Sequence, residues 1–361
     1  MKIAIVTSYS FLYPGGVQHQ VVCQAHSLSQ IPGIKVHIWA ADVHQSYIDL
    51  PVPHFSLGRG FRLSGNGSGL RISLGRRGVQ RFLRKEYKYD IIHIHEPLYP
   101  QTVRLINKLS TPVVGTFHAC FTKNIFYNKL NRYLKTAWDK FDLKTAVSSS
   151  ASNGVTKYFG NNVKIIPNGI IPPHIEKPPQ YKRENAILFI GRHEYRKGLP
   201  VVLDAFKSLQ NTHPDLKLWL VGPNTSKVTG PNIINFGVTS ETHKQNLLSR
   251  ALCLCVPSLG NESFGIILLE SMAYGCPVIA SNIEGYQNVI TPNQNGLFFE
   301  PGNAEALKVQ LLQLLDKTLD TTPLIHAGYD TVQKLSWETI AQTYISYYKK
   351  IAKHAKTHVT T

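Results

Sequence analysis

The chain has 361 residues, 43% of them hydrophobic and 17% charged, which suits a folded globular protein with room for two ordinary domains. No apolar run reaches the roughly 18 residues needed to cross a bilayer, and five scattered cysteines (Cys23, Cys120, Cys253, Cys255, Cys276) argue against a disulfide framework and fit a reducing cytosol. The net charge of +17 is uneven: residues 1–165 hold 21 Lys and Arg against 7 Asp and Glu, and the remainder 18 against 15, so the first half suits a polyanionic partner such as nucleic acid, an anionic membrane or a phosphorylated substrate.

The N-terminal "MKIAIVTSYS" carries one Lys and then an apolar strand with no small-residue cleavage site, so it reads as the first strand of the fold and not as a signal peptide. "YPGGVQ" follows directly. Gly15 and Gly16 let the backbone turn tightly and bring bare N–H groups close to a ligand, and the helix of "GGVQHQVVCQAHSLSQ" adds its positive N-terminal end. The pattern is neither a P-loop nor G-x-G-x-x-G. It suits a phosphate or a sugar, and an ordinary strand–helix turn is the alternative.

"KVHIWAA" is the next strand. The segment "GRRGVQRFLRKEYKYD" follows further on, within a stretch (59–88) of nine basic residues and one acid. At 100° per residue Arg77, Arg81, Arg84 and Lys88 fall within about 60° of one another, with Val79, Phe82 and Leu83 opposite. With Arg76 and Lys85 they form a basic face. It reads either as the solvated side of a crossover helix or as a patch docking on anionic lipid, where each charge adds about 1 kcal/mol. The apolar side is expected to pack on the sheet, leaving the charges outward. Nucleic acid would also suit the charge, but no aromatic-rich basic motif or nucleic-acid module is present.

"DIIHIHE", "TPVVGTFH" and "KTAVSSS" continue the strands. His93 and His95 lie at i, i+2 and point the same way; with Glu96 they could hold a metal, though no partner ligands are evident. His118 ends an apolar strand, which places it toward a crevice in either a structural or a functional role. "KIIPNGIIPPHIEKPPQYKREN" has five prolines between Pro167 and Pro179 and no periodicity, so it reads as an interdomain connector.

The alternation then restarts with the strand "AILFIGR", the helix "LPVVLDAFKSLQ" and the strands "LKLWLVG", "NIINFG", "ALCLCVPS" and "CPVIAS". Strands joined by helical crossovers imply parallel, doubly wound sheets. The fold class is therefore α/β, two Rossmann-like domains of similar size, with ligands expected at the carboxyl ends of the strands. Their boundaries are read as 1–166, a connector at 167–180, and 181–338; the remaining 339–361 forms a last helix that packs back on the first domain. Cys253 and Cys255, at i, i+2 in a strand, read as core.

"FIGRHEYRKG" clusters Arg192, Arg196 and Lys197 where a strand ends. A planar guanidinium fork and a compact ammonium could neutralise a diphosphate leaving group without a metal, and the chain has no D-x-D pair to hold Mg²⁺; a solvated charge run is the plain alternative. "GNESFGIILLESMAYGCPVIAS" runs from loop to helix to strand. Glu262 sits in the loop and Glu270 about two turns into a helix read as starting at Phe264. The separation, about 9 Å at 1.5 Å per residue, compares with the distance from a hexose to a ribose across a diphosphate. It does not suit the carboxyl pair of a retaining glycosidase, about 5–5.5 Å apart. The N–H groups of Ser263, Phe264 and Gly265 can donate to sugar oxygens, and Glu262 or Ser263 can also serve as a cap.

"PGGVQ", "IIHIHEP", "GTFH", "IIPNGI", "GRHEYRKG", "ESFGIILLESMAYGCPVIAS" and "NGLFFEPGN" occur in order over nearly the whole chain. In these the sequence resembles family 4 of the retaining glycosyltransferases, of the glycosyltransferase-B fold. "SYSFLYPGGVQ", "HIHEP" and "TFHACFTK" bring it nearest the phosphatidylinositol mannosyltransferases. The resemblance implies that Gly15 and Gly16 approach the donor diphosphate and reactive sugar, that Arg192 and Lys197 hold the diphosphate with Arg196 beside them, and that Glu262 with the amides at Ser263, Phe264 and Gly265 holds the hexose hydroxyls. It places Glu270 on the ribose and His118 beside the transferred sugar. The catalytic set is then His118, Arg192, Lys197 and Glu262. Retention is implied by same-face attack, with the leaving phosphate taking the acceptor's proton.

Two segments depart from the family pattern: "NGII" lacks the acid that often follows "NG", and "VGPN" replaces "VGxG" at Gly222, so the resemblance does not by itself name the base or the sugar. The reading is a peripheral enzyme on the inner, cytoplasmic face of the cytoplasmic membrane. It uses a GDP- or UDP-sugar as substrate, with GDP-mannose and phosphatidylinositol favoured, and needs no cofactor, no metal and no nucleic acid. A soluble-acceptor transferase and a sugar-nucleotide epimerase of the same fold are the alternatives, and the E-x(7)-E signature speaks against the second.

Overall fold

The computed structural model describes residues 1–65, 68–73, 76–121, 124–173 and 182–359, with backbone only for 61–73, 100, 101, 226 and 356–359. The chain divides into two units, Met1–Ile171 with Ser336–Thr361, and Pro172–Leu335. Residues 174–181, which take in half of the expected 167–180 connector, lie outside the described residues, as do Thr122 and Lys123.

The first unit runs β1 (Lys2–Ser10), α1 (Gly16–Ser29), β2 (Lys35–Ala41), β3 (His54–Gly58), β4 (Gly60–Gly65), β5 (Ser68–Ser73), α2 (Arg76–Leu83), β6 (Ile91–His95), α3 (Pro100–Ile106), β7 (Val113–Phe117), α4 (Ile125–Lys129), α5 (Asn131–Trp138), β8 (Leu143–Ala146), α6 (Ser149–Phe159) and β9 (Lys164–Ile165). The second runs β10 (Ala186–Ile190), α7 (Leu199–Leu209), β11 (Lys217–Val221), β12 (Ile233–Gly237), α8 (Glu241–Arg250), β13 (Cys253–Val256), α9 (Ile266–Ala273), β14 (Val278–Ser281), β15 (Leu297–Phe299), α10 (Ala304–Leu315) and α11 (Thr322–Lys334); α12 (Trp337–Val359) closes the chain.

The main strands of the first unit pair in parallel in the order β3-β2-β1-β6-β7-β8-β9, and those of the second in the order β12-β11-β10-β13-β14-β15. Strands covered on both faces read as near-continuous apolar runs, and Ile3–Val6, β6 and Ile187–Phe189 are buried at every position, His93 and His95 being the polar members of β6. Cys253 and Cys255 lie in the second unit's core with Leu218, Leu220 and Ile279. None of the five cysteines forms a disulfide.

Several elements differ from expectation. β4 and β5 form an antiparallel hairpin touching β1 through Tyr9 and Ile72. Its Gly- and Ser-rich composition hides it from a search for apolar runs, β3 (HFSLG) has no continuous apolar run, and β9 and β15 are too short to stand out. The helix bearing Glu270 starts at Ile266, two residues late, because Gly265 is left-handed at φ 86° and ends the preceding loop. The last helix starts at Trp337 and belongs to the first unit, where its N–H at Trp337 donates to the Ile170 carbonyl (2.7 Å) and Tyr344 and Tyr348 are buried.

Candidate active site

In each sheet the strand order reverses once, between β1 and β6 and between β10 and β13, and ligands of doubly wound sheets bind beyond the carboxyl ends at that point. The candidate residues of each unit collect there. β1 leads to Gly15 and Gly16, β6 to Glu96, and β7 to His118; β10 leads to Arg192 and β13 to the loop carrying Glu262.

In the second unit, the basic cluster and the loop acid form one ionic lattice. Glu262 Oε1 accepts from Arg196 Nη1 and from Lys197 Nζ, both at 2.6 Å. Glu194 bridges Arg192 (3.0 Å) and Arg196 (3.1 Å). Lys197 closes a short 3-10 turn, Tyr195–Lys197, and the Arg196 carbonyl accepts from the Leu259 N–H (2.8 Å), which ties the cationic turn to the acid-bearing loop.

The loop is rigidly supported. Gly260, Asn261 and Gly265 all have positive φ. A Cβ on Gly265 would come within 2.8 Å of Leu268 and of the buried Tyr286 ring, and one on Gly285 would lie 2.0 Å from the Glu262 carbonyl oxygen. The Tyr286 hydroxyl donates to Ser258 Oγ (2.8 Å), and burial pushes that phenol well above its ordinary value. Among the described residues, the N–H groups of Phe264 and Gly265 donate no backbone hydrogen bond.

Glu270 sits on the fifth residue of α9, so the rise from the helix start is about 6 Å and not the 9 Å expected from Phe264. Its carboxylate accepts from Lys244 Nζ on α8 (2.7 Å), which also pairs with Glu241 (3.0 Å). Burial alone would lower the Lys244 pKa, but Glu270 and Glu241 outweigh it and hold the ammonium above its ordinary value. Glu194 and Lys244 escaped the sequence reading; each adds a counter-charge to a residue that reading had singled out alone.

In the first unit, the Gly-Gly turn has a different basis from the one expected. Gly15 is extended (φ −164°), Gly16 is not left-handed, and no atom lies within 4 Å of a Cβ placed on Gly16. Residue 16 therefore does not require glycine for the turn's geometry, since its side chain would enter only open space, whereas a Cβ on Gly15 would run into the Gln18 side chain.

His118 is 8% exposed and Glu96 3% exposed. Glu96 occupies a left-handed conformation (φ 50°), uncommon for a residue with a Cβ, and its Oε1 accepts from the N–H groups of His118 (2.6 Å) and Ala119 (2.7 Å). Burial raises its pKa to about 7, against the lowering effect of those two bonds. The His93 and His95 rings stack with centroids 4.5 Å apart, as the i, i+2 spacing implies. Hydrogen bonds to Gln24 fill their edges: His95 Nε2 meets Gln24 Oε1 (2.7 Å) and Gln24 Nε2 meets His93 Nδ1 (3.2 Å). His95 Nδ1 meets His118 Nε2 at 2.8 Å. Desolvation lowers His93 and His118 to about 3 and His95 well below its ordinary value, so all three rings are neutral at pH 7. Among the described residues, no three His, Cys, Asp or Glu side chains come together as a metal site. Gln24 also escaped the sequence reading, although the pattern held a signal: Gln20 and Gln24, four apart, sit on the buried face of α1 with Val21, Ala25 and Leu28.

The basic segment splits into two pieces. Arg76, Arg77, Arg81 and Arg84 are exposed and Phe82 is fully buried, so the charges point outward from α2. α2 stops at Leu83, however, and Lys88 lies on a separate 3-10 turn, Glu86–Lys88, which corrects the single helical face expected. The chain bends there because buried Glu86 turns inward to accept from Ser110 Oγ (2.9 Å) and the amides of Ser110 and Thr111 (3.3 Å each). Lys85 Nζ lies over the Phe55 ring (5.1 Å) and Lys88 Nζ over Tyr87 (5.8 Å). No helix of the described residues is long and apolar enough to cross a membrane.

Comparison with known proteins agrees with this layout. The model of "Glycosyltransferase Family 4" matches residues 14–172 and that of "Glycosyl transferases group 1" matches residues 171–330. Relatives named phosphatidyl-myo-inositol mannosyltransferase are 30% identical in Mycobacterium leprae, over 98% of this chain and 97% of that protein, and in Propionibacterium freudenreichii, over 96% and 94%. Among solved structures, a glycosyltransferase from Rickettsia africae superposes with a TM-score of 0.74 at 20% identity, covering 98% of this chain and 99% of that one. The Anabaena protein HepE in complex with UDP superposes at 0.72 and 17%, covering 97% and 100%. The chain belongs to the family 4 glycosyltransferases and has the glycosyltransferase-B fold.

Proposed function

We propose that the protein transfers mannose from GDP-mannose to a phosphatidylinositol-type lipid with retention of the anomeric configuration. The observation that carries this reading is the Glu262 carboxylate held at 2.6 Å by both Arg196 and Lys197 at the strand ends of the second unit. A sugar-hydroxyl acceptor and two diphosphate-binding cations then occupy one locus.

In the reaction the bond from sugar C1 to the diphosphate oxygen breaks, and the bond from C1 to the acceptor oxygen forms on the same face. The departing phosphate takes the acceptor's proton. Arg192, Arg196 and Lys197 stabilise the charge that grows on the diphosphate, so no metal or other cofactor is assigned. Glu262, with the amides of Ser263, Phe264 and Gly265, grips the sugar, and Glu270 the ribose. Gly15, Gly16 and His118 are the first unit's contribution; at residue 16 the open space leaves the backbone bare for a ligand to approach. The mannosyltransferase names of relatives matching nearly the whole chain support the choice of sugar and acceptor. The outward charges of α2, beside the exposed Tyr87, support an anionic membrane as the place of work, on the cytoplasmic side where the donor is made available.

Changing Glu262 to Ala is expected to lower kcat/KM at least 100-fold while the protein melts as a folded domain and still binds free GDP, because Arg196 and Lys197 lose the anion that competes with the diphosphate. Full transfer activity in that variant would remove the role assigned to Glu262.

A further inference from the structure

The three buried histidines belong to a longer chain of hydrogen bonds. From His118 it runs through His95 and Gln24 to His93, whose Nδ1 meets the Tyr348 hydroxyl of α12 (2.5 Å) and whose Nε2 meets Thr116 Oγ1 (2.6 Å). Thr116 continues to Thr145 Oγ1 (2.6 Å), and Thr145 donates to the Gly115 carbonyl (3.2 Å). Gln24 Nε2 also reaches Tyr348 (3.4 Å), and Tyr344 reaches Thr116 (3.3 Å).

Among these side chains only the Gln24 amide has fixed polarity, one end accepting and the other donating. With Oε1 toward His95, His95 Nε2 carries its ring's hydrogen. Its Nδ1 is then bare and accepts, so His118 Nε2 carries the next hydrogen. On the other side, the one lone pair of His93 Nδ1 takes the Tyr348 hydrogen at 2.5 Å and is shared with the longer Gln24 contact at 3.2 Å, so Nε2 donates to Thr116, Thr116 to Thr145, and Thr145 to Gly115. Every contact then has one hydrogen. The flipped amide fails this count: His93 Nε2 would take the Thr116 hydrogen, leaving Thr145's single hydrogen to serve both Thr116 and Gly115. The complete network selects one amide orientation.

The geometry points to Gln24 as a positioning residue that fixes the tautomer of His118 through His95, leaving His118 Nδ1 as a hydrogen-bond acceptor for a hydroxyl of the transferred sugar. The neutrality imposed on all three rings by burial is what makes each ring carry a single hydrogen and lets the polarity pass along the chain. This rests on the reading that His118 lies beside the sugar.

The test uses the full chain with ¹⁵N-labelled histidine. Two-bond proton–nitrogen spectra at pH 7 report which ring nitrogen is protonated, and His95→Asn and His118→Asn assign the signals among fifteen histidines. The wild type is expected to show His93, His95 and His118 all protonated at Nε2. Gln24→Met, near in size but without polarity, should mix the His118 tautomers and lower kcat about tenfold, the worth of one well-placed hydrogen bond, with the donor KM within about twofold. A wild-type His118 protonated at Nδ1, an unchanged His118 signal in Gln24→Met, or an unchanged kcat in that variant overturns the inference. If His118→Asn alone keeps full activity, the placement of His118 at the sugar fails instead, and the spectra still decide whether Gln24 sets the tautomer.

Discussion

At the scale of single residues, this chain pairs its charges before any ligand arrives. Glu262 pairs with Arg196 and Lys197, Glu194 joins Arg192 to Arg196, and Lys244 pairs with Glu270. Glu96 differs: its buried carboxyl accepts from two backbone N–H groups, and burial raises its pKa to about 7. The sign of its effect on stability follows. Between about pH 4.5 and 7 the unfolded chain has released this proton and the folded chain keeps it, so Glu96 makes stability fall as pH rises. The buried histidines act oppositely below pH 6.5, because the unfolded chain binds protons that the folded one refuses. Glu96→Gln, which can still accept from both amides, should steepen the rise of stability between pH 4.5 and 6.5 by about 1.4 kcal/mol per pH unit. Denaturant melts across that range measure it, and parallel curves for the two proteins would show that Glu96 is ionised throughout.

At the scale of elements, the Glu262 loop is set by backbone geometry that only certain residues permit. Gly265→Ala would place a Cβ at φ 86° and 2.8 Å from Tyr286 and Leu268. The expected cost is about 1–3 kcal/mol of stability, together with weaker donor binding, read from thermal melts with and without GDP. A variant with wild-type melting and affinity would mean that the loop accommodates the methyl. For α2, Arg77, Arg81 and Arg84 changed together to Ser should weaken binding to vesicles of phosphatidylglycerol about 100-fold at low salt, from about 1 kcal/mol per charge. Flotation that is equal for both proteins would assign the charges to solvation.

These elements were legible in the sequence to different degrees. The strands that pair at the sheet centres are largely apolar runs, broken in β6 by His93 and His95, and the basic and acidic motifs lie just past their ends, so the fold and the loci of Arg192, His118 and Glu262 could be read directly. The start of α9 could not, because "ESFGIILLE" is helical by composition and only the left-handed Gly265 stops the helix from reaching Phe264. Lys244 and Gln24 were hidden for another reason. Each meets its partner across the sequence, Lys244 with Glu270 26 residues on and Gln24 with His95 71 residues on, and local periodicity, which puts Gln24 on the buried face of α1, does not name such a partner.

At the scale of the whole molecule, two sheets of the same winding serve different chemistry. The first unit holds 21 of the 39 basic residues within its first 165 positions, a neutral histidine relay and the closing helix α12. The second holds the lattice of Arg, Lys and Glu suited to a nucleoside diphosphate sugar. The most direct measurement of their joint function is to incubate the protein with GDP-mannose labelled with ¹³C at C1 and vesicles containing phosphatidylinositol, and to follow the anomeric signal by NMR. The expected result is loss of the nucleotide-sugar signal, equal release of GDP, and a new α-linked mannosyl lipid. A β-linked product, or free mannose with no lipid product, or no reaction when phosphatidylinositol is present, would contradict retaining transfer to this lipid.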